Sequence, residues 1–245
     1  PWWAHPCRPE AWQRILVYQG GGLGDLLRMF PVLEVLREAR PSAHISLLAE
    51  LAAPFETLFP VPDLVDAVVR MDLAGTESTP WGKLRLAFRL RRQGFDAVIN
   101  GNRGAGMLEN ALFCAAVGGQ DRIGFTAAGA GFPFTLSVPF ATDRPIATQN
   151  LDLLRAAGLQ VASRRVRVRV ASEDREWARS FLGWRGGALI AVHPFAHREG
   201  RFRAWPLEHY AALTTALSSW EGVRILLLGG SADRYILRSL KNARP

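Results

Sequence analysis

From Arg14 onward the chain alternates short apolar runs with longer amphipathic stretches, and this alternation limits its folds more than any other feature. A run of strand length followed by a helical period, repeated, is the pattern of an α/β protein with a parallel sheet. RILVY at Arg14–Tyr18 reads as a strand, Gly20–Gly24 as a glycine turn, and Leu26–Arg40 as a helix kinked or restarted at Pro31. His44–Ala49 reads as a second strand, Ala67–Arg70 as a third and Trp81–Gln93 as a basic helix. Phe95–Asn100 is a further strand, Ala105–Val117 a helix and Arg122–Phe125 a short strand. Ala127–Phe140, rich in Gly, Pro and Phe, reads as loop. Ile146–Ala157 is helical and closes at Gly158.

Beyond that helix the pattern starts again. Arg164–Val170 alternates strictly, as a half-exposed strand does. Glu173–Leu182 is a helix, Ala188–Val192 a strand, Pro206–Ser219 a helix and Val223–Leu228 a strand. Gly229-Gly230-Ser231 then turns into a final helix. With roughly 100–200 residues per domain, the 245 residues are expected to form two Rossmann-like units, 1–160 and 161–245. The second has few strands for a buried parallel sheet and is expected to be partial.

Composition narrows the class. No apolar stretch reaches the roughly 18–20 residues that a membrane helix needs. Two lone cysteines, Cys7 and Cys114, give neither a disulfide framework nor a zinc-ligand pair, and the N-terminus lacks the order of a signal peptide. A cytoplasmic protein is expected. The net charge of +8 comes almost entirely from arginine, Lys83 and Lys241 being the only lysines. Arginine suits phosphate and carboxylate recognition, although genome composition also favours it. The arginines are spread over several elements, so nucleic-acid binding is not expected.

The most distinctive local feature is QGGGLGD at Gln19–Asp25, between the first strand and the first helix. Glycines there let a ligand approach the backbone. The dinucleotide fingerprint G-x-G-x-x-G/A fails, because Asp25 occupies its last position when Gly20 and Gly22 are aligned. Glu50 does stand where NAD enzymes place their ribose-binding acid, which keeps an oxidoreductase as a minor alternative. Asp25 itself reads either as a helix N-cap or as a carboxylate placed to take a proton from a substrate hydroxyl. A second feature, HPFAHREGRFRAWP at His193–Pro206, puts three arginines and two histidines in a strand-to-helix loop, where they form either an anion site or a solvated basic loop. Gly230, Ser231 and Asp233 follow the next strand. Asp233 is placed to bind a ribose or to cap the last helix.

Taken in order, several segments resemble the glycosyltransferase family of bacterial ADP-heptose:lipopolysaccharide heptosyltransferases. They are RILVYQGGGLGDLLRMFPVLEVLREARPSAHISLLAE at Arg14–Glu50, FDAVIN at Phe95–Asn100, DRIGF at Asp121–Phe125, QNLDLLRAAGL at Gln149–Leu159, AVHPFAHREGRFRAWPLEHYAAL at Ala191–Leu213 and ILLLGGSAD at Ile225–Asp233. The resemblance implies a GT-B fold, an acceptor-binding first domain and a second domain for a nucleotide-sugar donor. It implies inverting, metal-independent transfer with no cofactor beyond the donor. It makes Asp25 the general base and Arg203, two positions before Trp-Pro, a contact of the donor diphosphate. Arg198, Gly230, Ser231 and Asp233 join Arg203 as donor-side candidates.

Gly22, Gly24, Arg28 and Arg103 are acceptor-side candidates, the arginines by their position near strand ends. The expected acceptor is an anionic lipopolysaccharide-type saccharide. Peripheral contact with the inner membrane through the helix Trp81–Gln93 is weighed against a solvated helix face. The family's D-[ST]-G-x-x-H motif has no counterpart in this sequence. A catalytically incomplete saccharide-binding remnant is therefore the alternative.

Overall fold

The computed structural model describes residues 6–50, 61–72, 75–103, 106–162, 165–166, 170–183, 186–194, 205–230, 233–234 and 238. The chain divides into two compact units, Pro1–Val170 and Ala171–Pro245.

The first unit is built on strands β1 (Arg14–Gln19), β2 (His44–Ala49), β3 (Ala67–Arg70), β4 (Ala97–Asn100), β5 (Asp121–Thr126) and β6 (Leu136–Pro139). All neighbours pair in parallel, in the order β3-β2-β1-β4-β5-β6. Helices α1 (Leu23–Leu27), α2 (Phe30–Ala39), α3 (Val61–Leu64), α4 (Pro80–Arg91) and α5 (Met107–Val117) connect strands, and α6 (Ile146–Ala156) follows β6. The order 3-2-1-4-5-6 reverses direction between β1 and β4. In doubly wound sheets that reversal opens a crevice beyond the carboxyl ends of the strands, where ligands bind.

β1 shows why this sequence makes a sheet covered on both faces. Its side chains alternate between faces, and both faces are apolar. Ile15 and Val17 join Leu26, Leu33, Leu36, Leu151 and Leu154 beneath α1, α2 and α6. Leu16 and Tyr18 join Leu86, Leu90, Val98 and Phe113 beneath α4 and α5. Each such side chain, fully buried, contributes about 1.5–3 kcal/mol relative to exposure.

The helix expected at Leu26–Arg40 is two helices. α1 ends at Leu27, and α2 begins at Phe30 after Arg28 and Met29, with Pro31 in its first turn, where the missing N–H costs no helical bond. The segment 127–140, expected to be loop throughout, contains β6. This edge strand is short and ends in Pro139, a residue tolerated at an edge because no ladder bond is lost there. It is fastened to β5 by Thr135, whose N–H donates to the Arg122 carbonyl at 2.9 Å. The other strands expected in the described residues occur within two residues of their expected limits. Gly158 ends α6 at φ +98°.

The second unit contains α7 (Ser172–Leu182), β7 (Ala188–Val192), α8 (Leu207–Ser218) and β8 (Val223–Leu227). β7 and β8 pair in parallel, making a β–α–β unit, and among the described residues its sheet has these two strands. The strand expected at Arg164–Val170 lies largely outside the described residues, and Arg165, Val166 and Val170 belong to no regular element. Most of the expected final helix also lies outside them. No helix among the described residues is long and apolar enough to cross a membrane.

Candidate functional site

A cleft of about 230 Å³ lies at the β1–β4 reversal, lined by Gln19, Gly20, Gly21, Asp25, Glu50, Gly101, Asn102, Arg103 and Asn110. Its floor is the carboxyl ends of β1 and β4. One wall is the glycine loop and α1, and another is the first turn of α5.

Asp25 stands in the first turn of α1, and its carboxylate has three described partners. Oδ2 accepts the Gly22 N–H at 3.1 Å; the N-cap is Gly22 rather than Asp25, which lies inside the helix at its third position and reaches back to the cap. Oδ1 accepts from the guanidinium of Arg28, one helical turn on. It also accepts from Arg103 Nη2 at 3.4 Å. A carboxylate offers about four acceptor sites, so one remains on Oδ2. Reaching back to the cap and accepting a proton are therefore compatible roles for one side chain.

Arg103 is held from several sides. It donates to the Gly101 carbonyl at 3.3 Å and to Asn150 Oδ1 at 3.5 Å, and it lies over the Phe140 ring. Its side chain is 11% exposed. Burial, then the Arg28 charge, depress it below the ordinary guanidinium value, while Asp25 pulls it back. Asn150 is fully buried in α6 and donates to the Arg28 carbonyl at 2.9 Å. Arg28 and Arg103, candidates on position alone, are thus brought together on Asp25.

The glycines divide into two groups. Gly21 has φ +87°, and a Cβ there would lie 2.6 Å from Asp25 Oδ2. A Cβ on Gly20 would strike the Glu50 carboxylate. Gly22 and Gly24 instead face open space, so nothing within the chain requires them to lack a side chain. Neither of these two lines the cleft.

Polar residues that the sequence reading passed over complete the cleft. Asn102 Oδ1 accepts the Gly20 N–H, while its Nδ2 donates to Asn100 Oδ1 at 2.7 Å. Gln19 Nε2 donates to the Gly20 carbonyl at 2.8 Å. Gln19 Oε1 is buried with no hydrogen-bond partner among the described residues. An orphaned acceptor of this kind costs about 1–3 kcal/mol. The signal for Asn100 and Asn102 was the polar VINGNRG at the end of an apolar strand, and Gln19 stood at the head of QGGGLGD. Glu50 is not extended toward a ribose site. It accepts from Tyr18 OH and, at 3.4 Å, from the Gly21 N–H, while Tyr18 OH also reaches Asn110 Oδ1 at 3.2 Å. Burial, then Glu50, push the Tyr18 phenol far above its ordinary range, so it serves as a neutral donor.

On the donor side, Arg198, Arg203 and Ser231 lie outside the described residues. Gly230 and Asp233 form a closed turn: the Gly230 N–H donates to Asp233 Oδ2 at 2.8 Å, and the Asp233 N–H donates to the Gly230 carbonyl at 3.0 Å. Neither cysteine is poised as a nucleophile. Burial, with Asp121 beside it, pushes the Cys7 thiol up to about 12, and burial also raises Cys114. Among the described residues no group of three or more His, Cys, Asp and Glu is placed to hold a metal ion.

Residues 83–244 match the family model for glycosyltransferase family 9 (heptosyltransferase). A glycosyl transferase family 9 protein from Veillonella parvula is 19% identical with a TM-score of 0.74, the match covering 98% of this chain and 69% of that one. E. coli ADP-heptose lps heptosyltransferase II is 18% identical with a TM-score of 0.67, over 95% of this chain and 69% of its own. E. coli heptosyltransferase WaaC with ADP is 20% identical with a TM-score of 0.63, over 93% and 70%. Comparison with curated protein sequences finds no match. At these identities the structural likeness shows the fold, which is GT-B-like.

Proposed function

The chain belongs to glycosyltransferase family 9, the heptosyltransferase family, and from that premise we propose that it moves heptose from ADP-heptose to a lipopolysaccharide core or related envelope saccharide, inverting the anomeric carbon. That it is a glycosyltransferase follows from the family. The donor, the acceptor and the residue roles are our reading. The observation that carries it is the Asp25 carboxylate, fixed by Gly22, Arg28 and Arg103 on the wall of a cleft at the sheet reversal.

In this reading the acceptor hydroxyl enters beside Gly22 and Gly24, where no side chain intrudes. It gives its proton to the open site on Asp25 Oδ2 as its oxygen attacks the anomeric carbon. The bond from that carbon to the donor diphosphate breaks on the opposite side, and ADP leaves with the electron pair. Proton transfer by a positioned carboxylate is worth about 10²–10⁴-fold. Arg28 and Arg103 hold that carboxylate in place.

The departing diphosphate gathers negative charge, and we assign Arg203 and Arg198 to meet it, because a guanidinium aimed at developing charge stabilises the transition state. Gly230, Ser231 and Asp233 are assigned to the nucleoside side. The choice of donor is supported by the relatives: the WaaC structures similar to this chain carry ADP and ADP-2-deoxy-2-fluoro heptose. An anionic acceptor is supported by the arginine excess. We place the reaction on the cytoplasmic side of the inner membrane.

Calorimetry with ADP-heptose, ADP and other nucleoside diphosphates tests the reading. It predicts binding of the ADP compounds, weakened about 10- to 100-fold by Arg203→Ala, as expected for a lost charge-assisted hydrogen bond of about 1.5–3 kcal/mol. Absence of binding by every nucleotide, with the chain folded, contradicts the donor assignment.

A further inference from the structure

The outer face of α4 inverts the usual pattern of a surface helix. Its inner face buries Gly82, Leu86, Ala87 and Leu90. At 100° per residue, Trp81, Arg85, Phe88 and Arg92 fall on a single stripe of the opposite face. Trp81 is 74% exposed and Phe88 52%. A soluble helix places its large apolar residues inward, so two aromatic side chains in the middle of the solvent face call for a partner.

The neighbouring helix extends the surface. α5 packs beside α4 on the same side of the sheet, joined by the Lys83–Glu109 ion pair at 2.6 Å and by Arg91 Nη1 donating to the Ala116 carbonyl at 3.2 Å. It too turns apolar residues outward, Leu108 and Leu112. The face therefore mixes Trp, Phe and Leu with arginine.

Its charge has one sign along the helix. No acidic residue occurs between Pro80 and Arg92. Arg89 is paired with Glu77, but Arg85, between the two exposed aromatics, and Arg92, one turn beyond Phe88, make no ion pair among the described residues. Aromatic and aliphatic side chains interleaved with unneutralised arginine match the chemistry of an anionic bilayer surface, where rings and methyls enter the headgroup–acyl boundary and guanidiniums remain at phosphate level.

We infer that the α4–α5 face of the first unit, centred on Trp81, Arg85, Phe88 and Arg92, docks on a membrane surface rich in anionic phospholipid. The location suits a glycosyltransferase. Trp81 and Leu108 lie in the first turns of α4 and α5, at the carboxyl edge of the parallel sheet where the Asp25 cleft opens. Asn110, between Leu108 and Leu112 in sequence, lines that cleft and accepts from Tyr18 OH. One helical turn thus joins the docking face to the cleft, and docking sets the cleft beside the headgroups.

Co-sedimentation of the full chain with vesicles tests this without any sugar nucleotide, so its result is separate from that of the donor-binding experiment. Vesicles of phosphatidylethanolamine and phosphatidylglycerol are compared with vesicles of phosphatidylcholine alone. The chain is expected to bind the first and not the second. Each arginine at an anionic surface is worth roughly fivefold in partition, so the double variant Arg85→Glu/Arg92→Glu should lose at least about tenfold. Trp81→Ser/Phe88→Ser should leave a weaker association that added salt abolishes, while the parent chain keeps part of its binding at the same salt. All four side chains are exposed, and unchanged melting temperatures would establish that the variants fold. Absence of vesicle binding, equal binding to both compositions, or variants that bind like the parent would overturn the inference. So would a concentration-dependent dimer that Trp81→Ser/Phe88→Ser dissociates in the absence of vesicle binding, because the face would then pair two copies of this chain.

Discussion

Arg103 Nη2 lies 3.4 Å from Asp25 Oδ1, reaching it from the end of the strand beside β1. The two residues are far apart in sequence and meet because β4 pairs with β1. Arg103 is gripped by the Gly101 carbonyl, Asn150 and the Phe140 ring, so it acts as a fixed strut rather than a flexible counter-ion.

Replacing that strut separates its shape from its charge. Lysine keeps the charge but has no planar fork, so Arg103→Lys cannot hold Gly101, Asn150 and Asp25 together. Turnover should fall about 10- to 100-fold, the equivalent of a lost charge-assisted bond of about 1.5–3 kcal/mol. Donor affinity measured by calorimetry should not change. Equal turnover in Arg103→Lys and the parent would remove the positioning role.

The glycines of the loop should respond in opposite ways. Gly21→Ala forces a Cβ into left-handed backbone and within 2.6 Å of Asp25 Oδ2, and it should destabilise the fold by about 1–2 kcal/mol. Gly22→Ala meets no protein atom and sits at φ −84°. It should melt with the parent chain while raising KM for the acceptor, since the proposed reading brings the acceptor hydroxyl in beside Gly22. Denaturant unfolding together with steady-state kinetics distinguishes the two.

Acid should weaken the first unit partly through Asp66. Burial alone would raise this carboxyl, but the Ile45 N–H and Arg37 outweigh it and hold it below the ordinary carboxylate range. A depressed folded value gives stability that is fully present above the unfolded value of about 3.9. That stability is lost as pH falls through the folded value, because the unfolded state then binds more protons. Asp66→Asn should therefore be less stable than the parent at neutral pH and lose less on acidification. The carboxylate is 41% exposed, so solvent limits the difference to about 1 kcal/mol or less. Urea midpoints from about pH 5 downward measure it.

Much of this architecture was legible in the residues, and the remainder was hidden for identifiable reasons. β7 has the limits expected of it because ALIAV is a continuous apolar run between a glycine and a histidine, and β2, HISLLA, keeps its expected limits although His44 and Ser46 interrupt its apolar residues. β6 was invisible because an edge strand of four residues, Leu136–Pro139, needs little apolar surface and tolerates a terminal proline. The Asp25–Arg28 pair follows from helical spacing. The Asp25–Arg103 pair does not, since it depends on the strand order. Glu50 misled for a similar reason. Its place at the end of β2 mimics a ribose-binding acid, yet its partners are Tyr18 and the Gly21 N–H, which only the folded loop brings together. Asn102 and Gln19 carried a weak signal, polar side chains at strand ends, and gained meaning once β1 and β4 were known to flank the reversal.

The central claim is that Asp25 takes the proton from the acceptor hydroxyl. Asp25→Asn keeps the size of the side chain and an oxygen for the Gly22 N–H, but it removes the base. Transfer from ADP-heptose, measured beside ADP-heptose affinity on the same preparation, tests the claim most directly. The account predicts a fall in turnover of about 10²–10⁴-fold with donor affinity nearly unchanged. Near-normal turnover in Asp25→Asn would contradict it.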